Sequence, residues 1–166
     1  MDALFTAIET SIEQENWHAA IALSLTIPDI CARLEDPRNK SKGAYIGWFE
    51  RHLQSTYESR YRPEPFINAA DFYALRCAFL HAGVDELTQQ PVRDRLSRIR
   101  FSTVGPHIAQ INDVLVLHPR NFCQEVLAAA RAWSGKVAQD ASVLARMNAL
   151  AAIEHEAFSP VDGFGI

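Results

Sequence analysis

Residues 68–83 read Asn-Ala-Ala-Asp-Phe-Tyr-Ala-Leu-Arg-Cys-Ala-Phe-Leu-His-Ala-Gly, and no other stretch constrains the fold as tightly. It opens on Asn68, whose side chain can accept from a first-turn backbone N–H, and Asp71 sets an acid near the positive end of the helix dipole. It closes on Gly83, the residue that tolerates the left-handed conformation just past a helix end. Between these signals Phe72, Leu75, Phe79 and Leu80 recur at helical spacing, which predicts a helix packed on most of its sides. A guanidinium (Arg76) and an imidazole (His81) are misfits on such a helix.

The rest of the chain predicts a mainly helical partner set for it. Leu4, Phe5, Ile8 and Ile12 stripe a first helix over 2–14, and Asn16 can cap a second carrying Trp17, Ala20, Ile21, Ser24 and Leu25. Pro28 removes a backbone donor there, so a kink or restart is expected, with Asp29 in the first turn of the continuation. Ser41 can cap a third helix to about Tyr57, Pro119 starts a fifth with Phe122, Val126, Leu127, Ala130 and Trp133 inward, and Asp140 caps a last one through Ile153. Alternation over Arg98-Ile-Arg-Phe-Ser-Thr103 and the β-rich run Ile111-Asn-Asp-Val-Leu-Val-Leu117 predict one small antiparallel hairpin, about 98–117. The expected organisation is one domain over 1–158 and a frayed tail over 159–166.

Composition narrows the class. At 166 residues and 48% apolar content the chain can bury one ordinary core. No apolar run is long enough to span a bilayer, and Asp2 and Glu9 stand where a signal peptide would carry basic residues; a cytoplasmic protein without membrane contact is expected. Cys31, Cys77 and Cys123 stand singly in apolar helical contexts, as small core residues rather than a disulfide framework or a zinc site. His18, His52, His107, His118 and His155 show no metal spacing and read as surface or capping residues, so no metal or cofactor is expected.

Charge is more informative in its distribution than in its sum of −4. Up to Asp36 only Arg33 stands against seven acids, whereas residues 93–100 hold four arginines and one acid, a candidate track for an anionic backbone that includes Arg98 and Arg100. Five residues apart on a regular α-helix, Arg76 and His81 diverge by about 140°, but a long arginine stem and a position in the last turn let both reach one cleft. Imidazole moves protons near neutral pH, and guanidinium binds phosphoryl oxygens bidentately. Together they are the parts for cleaving RNA without a metal. The bland alternative has the pair satisfying helix-end carbonyls, with Arg76 bridging to an acid such as Asp71.

The words Tyr73-Ala-Leu-Arg-Cys-Ala-Phe-Leu-His-Ala-Gly83, and more loosely Ile27-Pro-Asp-Ile-Cys31 followed by Tyr45-Ile-Gly-Trp-Phe49, resemble the HEPN superfamily, in particular a plasmid- and prophage-borne branch. The resemblance implies an antiparallel helical bundle bearing an Arg-x4-His motif, here Arg76 and His81 as catalytic residues. It further implies a homodimer with one composite site and endoribonuclease activity in toxin–antitoxin or phage-defence systems, leaving 2′,3′-cyclic phosphate and 5′-hydroxyl ends. A cognate antitoxin or other partner protein goes with such a role. Active members usually carry a polar residue, often Asn, after the arginine, where this chain has Cys77. Tyr73 and Cys77 flank the arginine as candidate substrate contacts. A catalytically silent dimeric module that binds RNA, a nucleotide or a protein is the alternative, and a purely structural helical protein a third.

Overall fold

Apolar stripes at helical period bring six α-helices and a small sheet around one core. The computed structural model describes residues 1–39 and 41–153; His155 and the expected tail lie outside them. The helices are α1 (Asp2–Glu13), α2 (Trp17–Glu35), α3 (Lys42–His52), α4 (Ala69–Cys77), α5 (Pro119–Val137) and α6 (Ala141–Asn148). None of them is long and apolar enough to cross a membrane. The core is strongly aromatic where α3, α4 and α5 meet: Phe72 lies 4.6 Å from Phe49 and 5.9 Å from Phe122, ring centre to ring centre, and is fully buried.

Two helix boundaries differ from expectation, and of the alternatives left open at Pro28, kink or restart, the restart does not occur. α2 does not restart at Pro28 but continues to Glu35, because Ile27, Pro28, Cys31, Ala32 and Leu34 are all buried and their packing outweighs the missing backbone donor. α3 ends at His52, and the chain tightens into a 3₁₀ turn over Gln54–Tyr57. α6 is capped by Asp140 as expected but ends at Asn148, short of Ile153, which is exposed.

The sheet corrects the expected hairpin. It contains β1 (Arg98–Phe101), β2 (Ala109–Ile111) and β3 (Val114–Leu117) in the order β1-β3-β2. β1 and β3 pair in parallel, Arg98 opposite Val114 and Phe101 opposite Leu117. The antiparallel hairpin is β2–β3, which turns at Asn112 with φ +55°. Reading 111–117 as one strand overlooked Asn112-Asp113 as a turn signal. Once the chain turns there, the connection from β1 to β3 is long enough for a parallel crossover.

Glu35, at the end of α2, ties the helices together. It accepts from Trp133 Nε1 at 2.6 Å and from Arg51 Nη2 at 2.6 Å, while Arg146 Nε donates to the Leu34 carbonyl at 2.7 Å. His52 Nε2 lies 3.7 Å from the same carboxylate. Burial lowers the His52 pKa from 6.5 and outweighs the opposing pull of Glu35. A lowered folded-state pKa means that stability is complete above the unfolded value of 6.5 and declines as the pH falls through the folded one. The thermal midpoint of the wild type is expected to drop more steeply than that of His52→Gln on acidification below that value. Parallel pH profiles would refute this account.

Candidate functional site

The Asn68 side chain caps α4 by accepting from the Asp71 N–H at 2.9 Å, and Gly83 closes the segment in the left-handed region at φ +67°. Between them the helix is not regular. After Cys77 it widens into a π-helical turn, Ala78–Ala82, and the Gly83 N–H reaches back to the Ala78 and Phe79 carbonyls. This extra residue per turn cancels much of the divergence that an α-helix imposes on a five-residue spacing. Arg76 Nη1 and His81 Nε2 consequently lie 3.0 Å apart.

Guanidinium only donates hydrogen bonds, so His81 Nε2 is the acceptor in this contact. Asp29, on α2, holds the other edge of the fork: its Oδ2 accepts from Arg76 Nε at 3.1 Å and Nη2 at 2.9 Å. Burial works to lower the Arg76 pKa, but the Asp29 charge and the Cys77 side chain outweigh it, and the net direction is up. The arginine is about one-fifth exposed while His81 is open to solvent. The pair thus faces outward.

Tyr73 lies one turn before Cys77 on α4, with the Arg76 guanidinium carbon 5.9 Å from its ring centre. Burial and then the Cys77 side chain raise its phenol pKa, so it is available as a donor. Behind it, the fully buried Tyr45 packs edge-on at 5.2 Å and donates to the Leu25 carbonyl. Arg98 and Arg100 are not part of this cluster. On β1 they pair with Asp85 at 3.4 and 3.8 Å, and Arg98 also meets Glu86 at 3.3 Å.

Two assignments of the charged residues change. The partner of Arg76 is Asp29, not Asp71. Asp71 is fully buried and accepts from the backbone N–H groups of Asp94, Arg95 and Leu96, fastening the loop before β1 to α4. Asp29 was legible in principle: it is an acid inside the apolar run Ile27 to Ala32, a misfit opposite in sign to Arg76. Of the two roles expected for His107, surface or capping, the structure excludes the first; Nε2 meets Glu125 at 2.9 Å and Nδ1 accepts from the N–H of His118, the residue that precedes α5, so both ring nitrogens serve the junction of sheet and α5.

Comparisons with protein-family models, with curated proteins and with solved structures find no match. The reading of the site therefore rests on its chemistry. Among the described residues no cluster of acids, histidines and cysteines is arranged to hold a metal ion. The cysteines separate by environment: Cys31 and Cys123 are fully buried, and burial pushes Cys123 up to about 11, while Cys77 is half-buried beside Arg76. A maleimide applied to the native protein is expected to label Cys77 alone, as read by peptide mass mapping. Equal labelling of Cys123 would refute the packing described.

Proposed function

We propose that this chain is a metal-independent endoribonuclease of the HEPN type, working as a homodimer in a toxin or phage-defence system, with RNA as substrate. The observation that carries the reading is the 3.0 Å contact of Arg76 with a solvent-facing His81 across the π-helical turn. A bound RNA phosphate replaces the imidazole as acceptor of the Arg76 Nη1–H. That frees the Nε2 lone pair to take the proton of the ribose 2′-hydroxyl. The 2′-oxygen attacks phosphorus, Arg76 stabilises the charge that builds on the phosphoryl oxygens, and the bond to the 5′-oxygen breaks. The leaving oxygen takes a proton from the second copy's His81, which enters the step as imidazolium and leaves it neutral while the first imidazole becomes imidazolium, giving a 2′,3′-cyclic phosphate and a 5′-hydroxyl; exchange with solvent restores both rings. Asp29 keeps the fork oriented throughout, and Tyr73 donates from the flank.

Arg98 and Arg100 serve as backbone contacts in this reading. Their ion pairs with Asp85 and Glu86 are partly exposed, and pairs of that kind are worth about 0–1 kcal/mol, so a phosphate competes with them. The direct test is incubation with total RNA in excess chelator, with analysis of the ends produced. Cyclic phosphate ends support the reading; intact RNA, or 5′-phosphate ends, would overturn it.

One observation favours a second reading. The Arg76 charge is already met by Asp29, and a thiol rather than an amide adjoins it. A catalytically silent binding or accessory module, for RNA, a nucleotide or a protein partner such as an antitoxin, predicts retained binding without cleavage in the same experiment.

A further inference from the structure

Against Phe79 and Gly83 of the π-helical turn, and not including Asp29, Arg76 or His81, lies a cleft of about 670 Å³, within the ~300–1,000 Å³ range of small-ligand sites. Its walls include four flat side chains, Trp17, His18, Phe79 and Phe101, with Asp85 and Thr103 as polar neighbours. His18 and Phe79 are nearly parallel, inclined by 27°, and Phe101 stands edge-on to Phe79. The Arg120 guanidinium carbon sits 5.4 Å from the Trp17 ring centre but pairs with Glu15 at 3.8 Å and lines a neighbouring cavity, so the cleft itself is aromatic and polar. Flat aromatic walls with a few polar groups among them match a planar heteroaromatic ring with a polar edge.

We infer that this cleft is a nucleobase subsite, separate from the Arg76–His81 pair, that takes one base of a single-stranded RNA. The base stacks on His18 and Phe79, Asp85 and Thr103 meet its polar edge, and its phosphate stays outside the cleft. The inference rests on the proposed RNA activity only in naming the ring as a base of that substrate. His18 and Asp29 are both on α2, eleven residues or about 16 Å of helix apart, so the cleft holds a base a few nucleotides away from the scissile phosphate. A mononucleotide then occupies the cleft alone, whereas an oligonucleotide engages cleft and Arg76 together and binds more tightly.

The protein carries its own reporter. Of the three tryptophans, Trp48 and Trp133 are fully buried and only Trp17 lines the cleft. Adenosine 5′-monophosphate is expected to change the Trp17 emission saturably, ribose 5-phosphate to have no such effect, and a hexa-adenylate oligoribonucleotide to bind at least about tenfold more tightly than the mononucleotide. His18→Ala should weaken the mononucleotide about fivefold or more, and His18→Phe, which keeps a flat ring, should restore binding. The double variant Arg76→Ala, His81→Ala should bind the mononucleotide as the wild type does. No response to adenosine monophosphate, an equal response to ribose 5-phosphate, or indifference to His18→Ala would overturn the inference. The two readings fail separately: RNA cleavage without a mononucleotide response removes only the cleft, and a mononucleotide response without cleavage removes only the nuclease.

Discussion

His81→Ala is expected to lower RNA cleavage by about 100-fold or more, the usual contribution of a positioned acid–base group, while leaving the fold intact. His81 is exposed and, among the described residues, its side-chain hydrogen bond is with Arg76 Nη1, so little packing is lost with the ring. Arg76→Ala should abolish cleavage as completely but at a structural cost as well. It strands the Asp29 carboxylate, about one-quarter exposed, and on the order of 1–2 kcal/mol of stability goes with it. Arg76→Lys is not expected to rescue activity, because an ammonium cannot hold Asp29 along one edge and present a second donor to a phosphate. Measured rates, set beside thermal midpoints for each variant, separate chemistry from folding. Cleavage that survives both alanine variants removes the assignment of the site.

The largest effect on stability is expected at Asp71. Three consecutive backbone N–H groups, of Asp94, Arg95 and Leu96, converge on its carboxylate at 2.7 to 3.3 Å, and the side chain is fully buried. Asp71→Ala leaves these donors without a partner, a cost of about 3 kcal/mol, or about 10 °C in thermal midpoint for a chain of this size. Asp71→Asn keeps one acceptor oxygen and should lose about half as much. An unchanged midpoint in the alanine variant would show that the loop before β1 is held by other means. Because that loop also carries Val84 and Asp85, the lining of the aromatic cleft should loosen together with it.

The helical part of the fold was readable because each helix carries its own signals. Asn16, Asn68 and Asp140 cap in the structure as their residue types predict, and Phe5, Ile8 and Ile12 are buried on the stripe their spacing defines. Local capping and period involve residues within one turn of each other, which is the range over which a sequence is unambiguous. Strand pairing is different. The alternation over 98–103 and the β-rich run 111–117 marked β1 and β3, but parallel or antiparallel pairing depends on where the intervening chain turns, and a three-residue β2 carries too little pattern to reveal it.

At the candidate site the division is sharper. Arg76, His81, the Asn68 cap and the Gly83 stop are explicit in the amino-acid sequence, and so is the mismatch between a five-residue spacing and an α-helical turn. How that mismatch is resolved depends on neighbours far away in the chain. Burial of Phe72, Leu75 and Ala78 anchors α4 against the core, Asp29 from α2 takes one edge of the guanidinium, and the backbone widens by one residue to bring the imidazole to the other. Local residue types chose the chemical groups. Long-range packing and one ion pair spanning 47 residues decided that they touch, because a helix can be widened into a π turn only where the rest of the molecule holds both of its ends.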